Sequence, residues 1–413
     1  MYFCIMNIPF NKKKIINDPV YGFINIPSGS IYDLIEHPYL QRLRRIKQLG
    51  LSNLVYPGAE HTRFSHALGA MYLMNQALDV LSQKGETISQ EEIEASLAAI
   101  LLHDIGHSPF SHCLEHFFFQ ESHEEVSLEM MKIIGVSKMT LDIFSNKYPK
   151  RFLHQLVSSQ VDTDRLDYLT RDSFFTGVSE GVIGTERIIK MLAVNNDELV
   201  IEQKGIYSIE KFIISRRLMY WQVYMHKAVV SSDILINTIL IRASYLHKQG
   251  VDVIKHISPY LGYFLENNRT TIKDEKSIEN FTQIDDSDIW NAVKVWANHK
   301  DKILSHLSQC LINRHLGKVQ IKDKPFSKEE IDNAIEDLQA QNRSLSIEEI
   351  KSYFVLTDEL KNKAYSFQDD KINILFKNGQ VKEICNASDQ LDETFLRKEI
   401  KKYYLYKLPT PAI

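Results

Sequence analysis

Two short apolar, β-branched runs at residues 14–26, on either side of Asp18-Pro19-Val20-Tyr21-Gly22, predict a β-hairpin. From about residue 30 to 265 the apolar positions instead return every three or four residues, the period of helices that bury one face. Two helix starts are marked. Ser89 with Glu92 precedes the run Ile93–His103, and Ser122 with Glu125 precedes Val126–Ile134; each pair caps free backbone N–H groups reciprocally. Gly106 and Pro109 stop the first of these helices. A polar stretch at 266–285 reads as a boundary, residues 286–315 read as helical again, and 371–384 places Asn378-Gly379 between alternating strands, a second hairpin. The expected fold is mainly α. A helical core over 1–265 carries the N-terminal hairpin, and 266–413 forms a C-terminal lobe of helices and small β-hairpins, with no internal repeat.

Composition narrows the function classes. Apolar residues make up 44% and charged residues 25% of the 413, the balance of a soluble globular protein. A net charge of −4 provides no global basic field for nucleic acid, though a local basic patch would still suit a phosphate-rich ligand. Cys4, Cys113, Cys310 and Cys385 are far apart and form no C-x-x-C pair, which speaks against a disulfide framework and a cysteine-bound zinc and fits a reducing compartment. Met1–Phe10 is apolar but too short for a membrane span, and the Lys12–Lys14 run follows it instead of preceding it. The expected location is the cytoplasm, with no membrane partner.

The chemistry concentrates in LLHDIGHSPFSH at 101–112, where an apolar helix ends in His103-Asp104 and is followed by His107 and His112. Imidazole nitrogen beside carboxylate oxygen suits Mn, Fe, Zn, Ni or Mg without choosing among them. A third ligand is available in His66 of HTRFSH (61–66), and a fourth among the acids of VDTDRLDYLTRD (161–172). A lone histidine is more often a satisfied core or capping residue. Histidines at 61, 66, 103, 107, 112 and 123, crowded beside Asp104, are better explained by a site.

Helix spacing adds further groupings. Arg63 and His66 are i, i+3, so a phosphate-binding guanidinium and a metal ligand would share a face. Asp164, Tyr168 and Asp172 form an i, i+4, i+8 stripe, and Arg216, Tyr220 and Tyr224 form another. Each alone reads equally well as the polar edge of a buried helix; together they resemble the walls of a nucleotide pocket. Asp162 and Asp164 would lie about 200° apart on an ideal helix, so one ion would not take both.

HTRFSH (61–66), HDIGHSPFSH (103–112), His123-Glu124, D-x-D-R-L-D-Y-x-x-R-D (162–172) and R-x-x-x-Y-x-x-x-Y-M-H-K (216–227) stand in the order typical of the HD-domain deoxynucleoside triphosphate triphosphohydrolases, which the chain resembles over roughly 14–265, and more weakly to about 320. That family includes bacterial dGTPases and the human SAM- and HD-domain enzyme. The resemblance implies an HD-domain helical core and one divalent metal ion per subunit on His66, His103, Asp104 and Asp164, leaving Asp162 a supporting role. It implies attack on the α-phosphorus, releasing deoxynucleoside and triphosphate. Arg63, Arg165, Arg216 and Lys227 would hold phosphates, His107 and His123 would contact them, and His112 would be the general acid, oriented by Glu115. Gln48, Tyr168 and Asp172 would read the 3′-hydroxyl, while Leu49 and Tyr224 crowd the 2′ position. Tyr220 and Met225 stand where the human enzyme has histidine and glutamine, so base preference does not carry over. Gln41, Arg42, Arg44, Arg314 and Lys318 match a regulatory-nucleotide site of tetrameric relatives, although a solvated basic helix face explains them as well; a homodimer or homotetramer is implied. Competing readings keep the metal but change the substrate to a nucleoside monophosphate, (p)ppGpp or a nucleic acid end, or make the chain an idle nucleotide-binding regulator.

Overall fold

The computed structural model describes residues 10–27, 29–267, 270–363, 365, 371–397 and 399–410; the apolar run before Phe10, with Cys4, lies outside them. β1 (Phe10–Asp18) and β2 (Gly22–Pro27) form the expected antiparallel hairpin. Asp18 Oδ1 accepts the N–H groups of Val20 and Tyr21 at 2.9 and 3.0 Å, and this side chain sets the turn.

The helical core follows. α1 (Arg63–Gln83) packs along α2 (Gln90–Leu102), with α3 (His123–Ile134) and α4 (Thr163–Thr176) completing the frame of the site. Both capping boxes read from the sequence are present, at α2 and α3, and Thr62 with Ser65 makes a third at α1. α2 ends one residue before His103. Gly106 then lies against α3 so closely that a Cβ would stand 2.4 Å from the His123 carbonyl oxygen and 2.5 Å from the Ser127 nitrogen. Backbone cannot yield there, so this position of the motif requires glycine.

β3 (Leu192–Asn195) and β4 (Glu198–Glu202) lead into α5 (Ile206–Met219), a π turn at Tyr220–Tyr224, and α6 (Lys227–Lys248). By length and composition α6 is apolar enough to cross a membrane, but 67% of its apolar window is buried inside the protein. α7 (Asp286–Trp296) and α8 (Lys302–Ile312) divide the stretch read as one helical region. The second hairpin, β7 (Asn373–Leu375) with β8 (Val381–Glu383), turns through Phe376–Gln380, where Gly379 takes φ +82°. It extends the core hairpin, β7 lying parallel to β4 in a sheet ordered β3-β4-β7-β8. β5 (Lys318–Lys322), β9 (Glu399–Lys407) and β6 (Val355–Lys363) form a separate sheet against α6, with Tyr404 and Tyr406 packed on Val230.

One buried apolar cluster runs from Ile24 through Leu101 and Ile239 to Trp296 and Leu408, so residues on both sides of 265 share a core. The polar stretch 266–285 ends by entering that core: Phe281 and Ile284 are buried, and Asp285 pairs with Arg45. This also corrects the reading of Arg42. It is fully buried, donating Nε to the Ile284 carbonyl at 2.6 Å and Nη1 to the His107 carbonyl at 3.0 Å. It braces the core and is not part of an exposed nucleotide surface. Gln41 and Arg44 hydrogen-bond each other at the surface, Arg314 donates to the Leu54 carbonyl, and Lys318 is exposed on β5.

Candidate metal centre and nucleotide pocket

Three local devices bring four candidate ligands together. The Thr62 cap starts α1 so that Arg63 and His66 both turn inward. The end of α2 presents His103 and Asp104, and Asp162 caps α4 so that Asp164 falls in its first turn. His66 Nε2 lies 3.3 Å from His103 Nε2, 3.1 Å from Asp164 Oδ1 and 3.6 Å from Asp104 Oδ2. His103 Nε2 is 3.2 Å from Asp104 Oδ1 and 3.5 Å from Asp164 Oδ1. Ligand bonds of about 2.0–2.1 Å around a tetrahedral ion would put donors about 3.3 Å apart, so the mutually close donors of His66, His103 and Asp164 fit a single cation, with Asp104 beside them. The tautomers fit as well. His66 Nδ1 faces Asp167 Oδ2 at 2.7 Å and His103 Nδ1 faces the Ile100 carbonyl at 2.6 Å, which leaves both Nε2 lone pairs pointing inward.

The electrostatics also suit a cation. Burial works to lower the His66 pKa, but Asp164 and Asp167 outweigh it and carry it up to about 10. Burial works to raise the Asp104 carboxyl, yet the Arg63 guanidinium and the His103 imidazole hold it well below the usual carboxylate range. Asp162 accepts the Arg165 N–H at 2.6 Å and pairs with its guanidinium, so it sits ahead of the helix as its cap and does not face the ligand point.

A cavity of about 400 Å³ adjoins this grip. It brings together Gln48, Leu49, Arg63, His107, His112, His123, Arg165, Tyr168, Asp172, Tyr220 and Tyr224, as expected from the sequence. Arg216 lies off its lining, with Nη1 3.3 Å from Gln160 Oε1, but near enough for its charge to act on Tyr168. Arg63 donates to Asp104 at 2.5 Å and to Ser111 Oγ at 2.8 Å, which fixes its position at the edge of the grip.

Glu115 binds two imidazoles at once, His112 Nδ1 at 3.1 Å and His123 Nδ1 at 2.7 Å. His112 is exposed, as a group that gives a proton to a ligand should be. His107 is buried with Nδ1 3.1 Å from Asp104 Oδ1, and burial with the nearby Arg63 charge pushes its pKa well down. Phe110 and Ser111, between them, take left-handed φ of 55° and 59°, a strained turn inside the chemical motif.

Three supports were not assigned from the sequence. Asp167 orients His66 and is itself held by Arg171, which reaches Asp18 in the hairpin turn at 2.8 Å. His61 meets Asp172 Oδ1 at 2.7 Å while the Tyr224 hydroxyl donates to Oδ2 at 2.7 Å, so Asp172 arrives already oriented. Asp286 accepts the N–H groups of Phe110 and Lys47 at 2.8 and 2.9 Å. Asp167 and His61 stand inside the quoted motifs, but their partners are 101 and 111 residues away. Asp167→Asn is expected to weaken metal affinity about 10–100-fold, because the Asn amide is a poorer partner for the His66 Nδ1–H. Isothermal titration with Mn²⁺ would show it, and wild-type affinity would refute it.

The comparisons agree with this geometry. Residues 63–170 match the HD domain and 183–247 the HD associated region. The uncharacterized protein YwfO of Bacillus subtilis is 33% identical over 92% of this chain and 89% of its own length. A deoxynucleoside triphosphate triphosphohydrolase SAMHD1 homolog of Dictyostelium discoideum is 32% identical over 54% of this chain and 48% of its own. The crystal structure of a phosphohydrolase from Bacteroides thetaiotaomicron superposes with a TM-score of 0.91 at 51% identity, covering 96% of this chain and all of the other. The chain belongs to the HD-domain phosphohydrolase family.

Proposed function

We propose that this protein hydrolyses deoxynucleoside triphosphates to deoxynucleoside and triphosphate. The observation that carries the reading is a single cavity lined by Asp104 and Asp164 of the grip, by His112 and His123, which Glu115 bridges, and by Asp172 and Tyr224. His66, His103, Asp104 and Asp164 would hold one divalent ion per subunit (Mn, Fe, Mg, Ni or Zn). Such an ion, when bound, polarises a phosphoryl oxygen and lowers the pKa of water. The protein's own groups do the rest. Arg63 and Arg165, with Arg216 and Lys227 farther out, balance the phosphate charge, and His107 and His123 flank it. A water oxygen joins the α-phosphorus, the bond from phosphorus to the 5′-oxygen breaks, and His112, steered by Glu115, gives that oxygen its proton. Gln48, Tyr168 and Asp172 take the 3′-hydroxyl, and Leu49 and Tyr224 leave no room for a 2′-hydroxyl. A homodimer or homotetramer, with a regulatory nucleotide near Gln41, Arg44, Arg314 and Lys318, completes the reading without Arg42.

The test is product identity. Protein loaded with Mn²⁺, Fe²⁺ or Mg²⁺ is incubated with each dNTP, with and without GTP, and the products are separated by anion exchange. Deoxynucleoside plus triphosphate is expected. Release of phosphate or pyrophosphate instead, or no turnover of any dNTP, would overturn the proposal.

A further inference from the structure

The cavity holds four carboxylates, and three have a part already. Asp104 and Asp164 belong to the metal grip, and Asp172 is engaged by His61 and Tyr224. The fourth is Asp233 on α6, which lines the same cavity. The Cys113 thiol stands beside it, with Sγ also donating to the Asp233 backbone carbonyl at 3.6 Å, and among the described residues no cation pairs with the carboxyl. A carboxylate in a ligand cavity without a cation is a costly arrangement unless the ligand brings the donors.

Charge decides which part of the ligand that is. A polyphosphate arm is repelled by Asp233 and is drawn to Arg63 and Arg165, the cations that line the cavity. The sugar has its partners in Gln48, Tyr168 and Asp172. The base is the part left to meet Asp233. We infer that Asp233 reads the Watson–Crick edge of the base and favours guanine, whose ring N–H and adjacent amino group offer two donors to two carboxylate oxygens. Adenine and cytosine set one donor beside an acceptor, and thymine flanks its single N–H with two carbonyls that the carboxylate repels. This inference rests on the triphosphohydrolase reading of the same site.

Internal competition tests it. Equal concentrations of the four dNTPs in one tube give deoxynucleosides in the ratio of their kcat/KM values, and any activation is common to all four. Burial pushes the Asp233 carboxyl up to about 7, so the assay is run at pH 8, where it only accepts. Wild type is expected to release mainly deoxyguanosine. Asp233→Asn loses the second acceptor and the charge that favour the guanine N1–H and amino pair, and gains a donor for adenine N1, so it should lower the deoxyguanosine-to-deoxyadenosine ratio by about tenfold. Asp233→Ala should lower deoxyguanosine relative to thymidine by a similar factor. An unchanged ratio in both variants, or an equal loss of all four products, overturns the assignment. Release of no deoxynucleoside by the wild type is a different failure, which removes the triphosphohydrolase reading and this inference with it.

Discussion

Asp104→Ala is expected to abolish metal binding and to lower hydrolysis by at least about a thousandfold, the rate equivalent of the several kcal/mol a catalytic metal contributes. Asp104 ties the candidate grip to the cavity side of the site. Oδ1 stands 3.2 Å from His103 Nε2 and 3.1 Å from His107 Nδ1, while Oδ2 stands 3.6 Å from His66 Nε2 and 2.5 Å from Arg63 Nη1. Alanine therefore removes a ligand, frees the His107 ring to turn, and leaves Arg63 with Ser111 alone. The helices should survive, because the packing of α1 on α2 and α4 comes from apolar residues such as Leu68, Ala70 and Leu101. Elemental analysis of the purified variant, circular dichroism and product release together make the check. Wild-type metal content with activity retained would refute the site assignment.

What could be read from the sequence was what is local. His103 with Asp104, the Asp164–Tyr168–Asp172 stripe and both capping boxes lie within one or two helical turns, so periodicity alone groups them. Choosing Asp164 over Asp162 is instructive. The phase argument assumed that both lie in one helix, whereas Asp162 precedes it as the cap. The two acids do part company, but for a different reason. Arg42 was misplaced because a basic residue is ordinarily solvated; its burial depends on carbonyls 63 to 242 residues away, which no local pattern encodes. Asp286 opens the stretch read as helical, where an acid in the first turn is ordinary; its partners Phe110 and Lys47 are 176 and 239 residues away, so no local pattern shows its part.

That last residue has a large expected effect of its own. Asp286→Ala should cost about 2–4 kcal/mol of stability and slow turnover by about 100-fold while leaving metal binding intact. The carboxylate is buried, its pKa pushed up to about 6 by that burial, and it stays there because it accepts two backbone N–H groups, from Phe110 and Lys47. Those bonds hold two loops together. One carries Gln48 and Leu49; the other carries Phe110 and Ser111 in left-handed conformations that cost about 1–3 kcal/mol each. Without Asp286 both N–H groups are buried unpaired, the strained turn relaxes, and His112, one residue beyond it, leaves its place beside Glu115. Asp286→Asn retains one acceptor and should fall between wild type and alanine. None of the four metal ligands touches Asp286, so calorimetric Mn²⁺ affinity should stay within a fewfold of wild type while the denaturation midpoint and kcat both drop. Loss of metal affinity in step with kcat would mean that Asp286 supports the grip and not the loop, and this account of the general acid's position would fail.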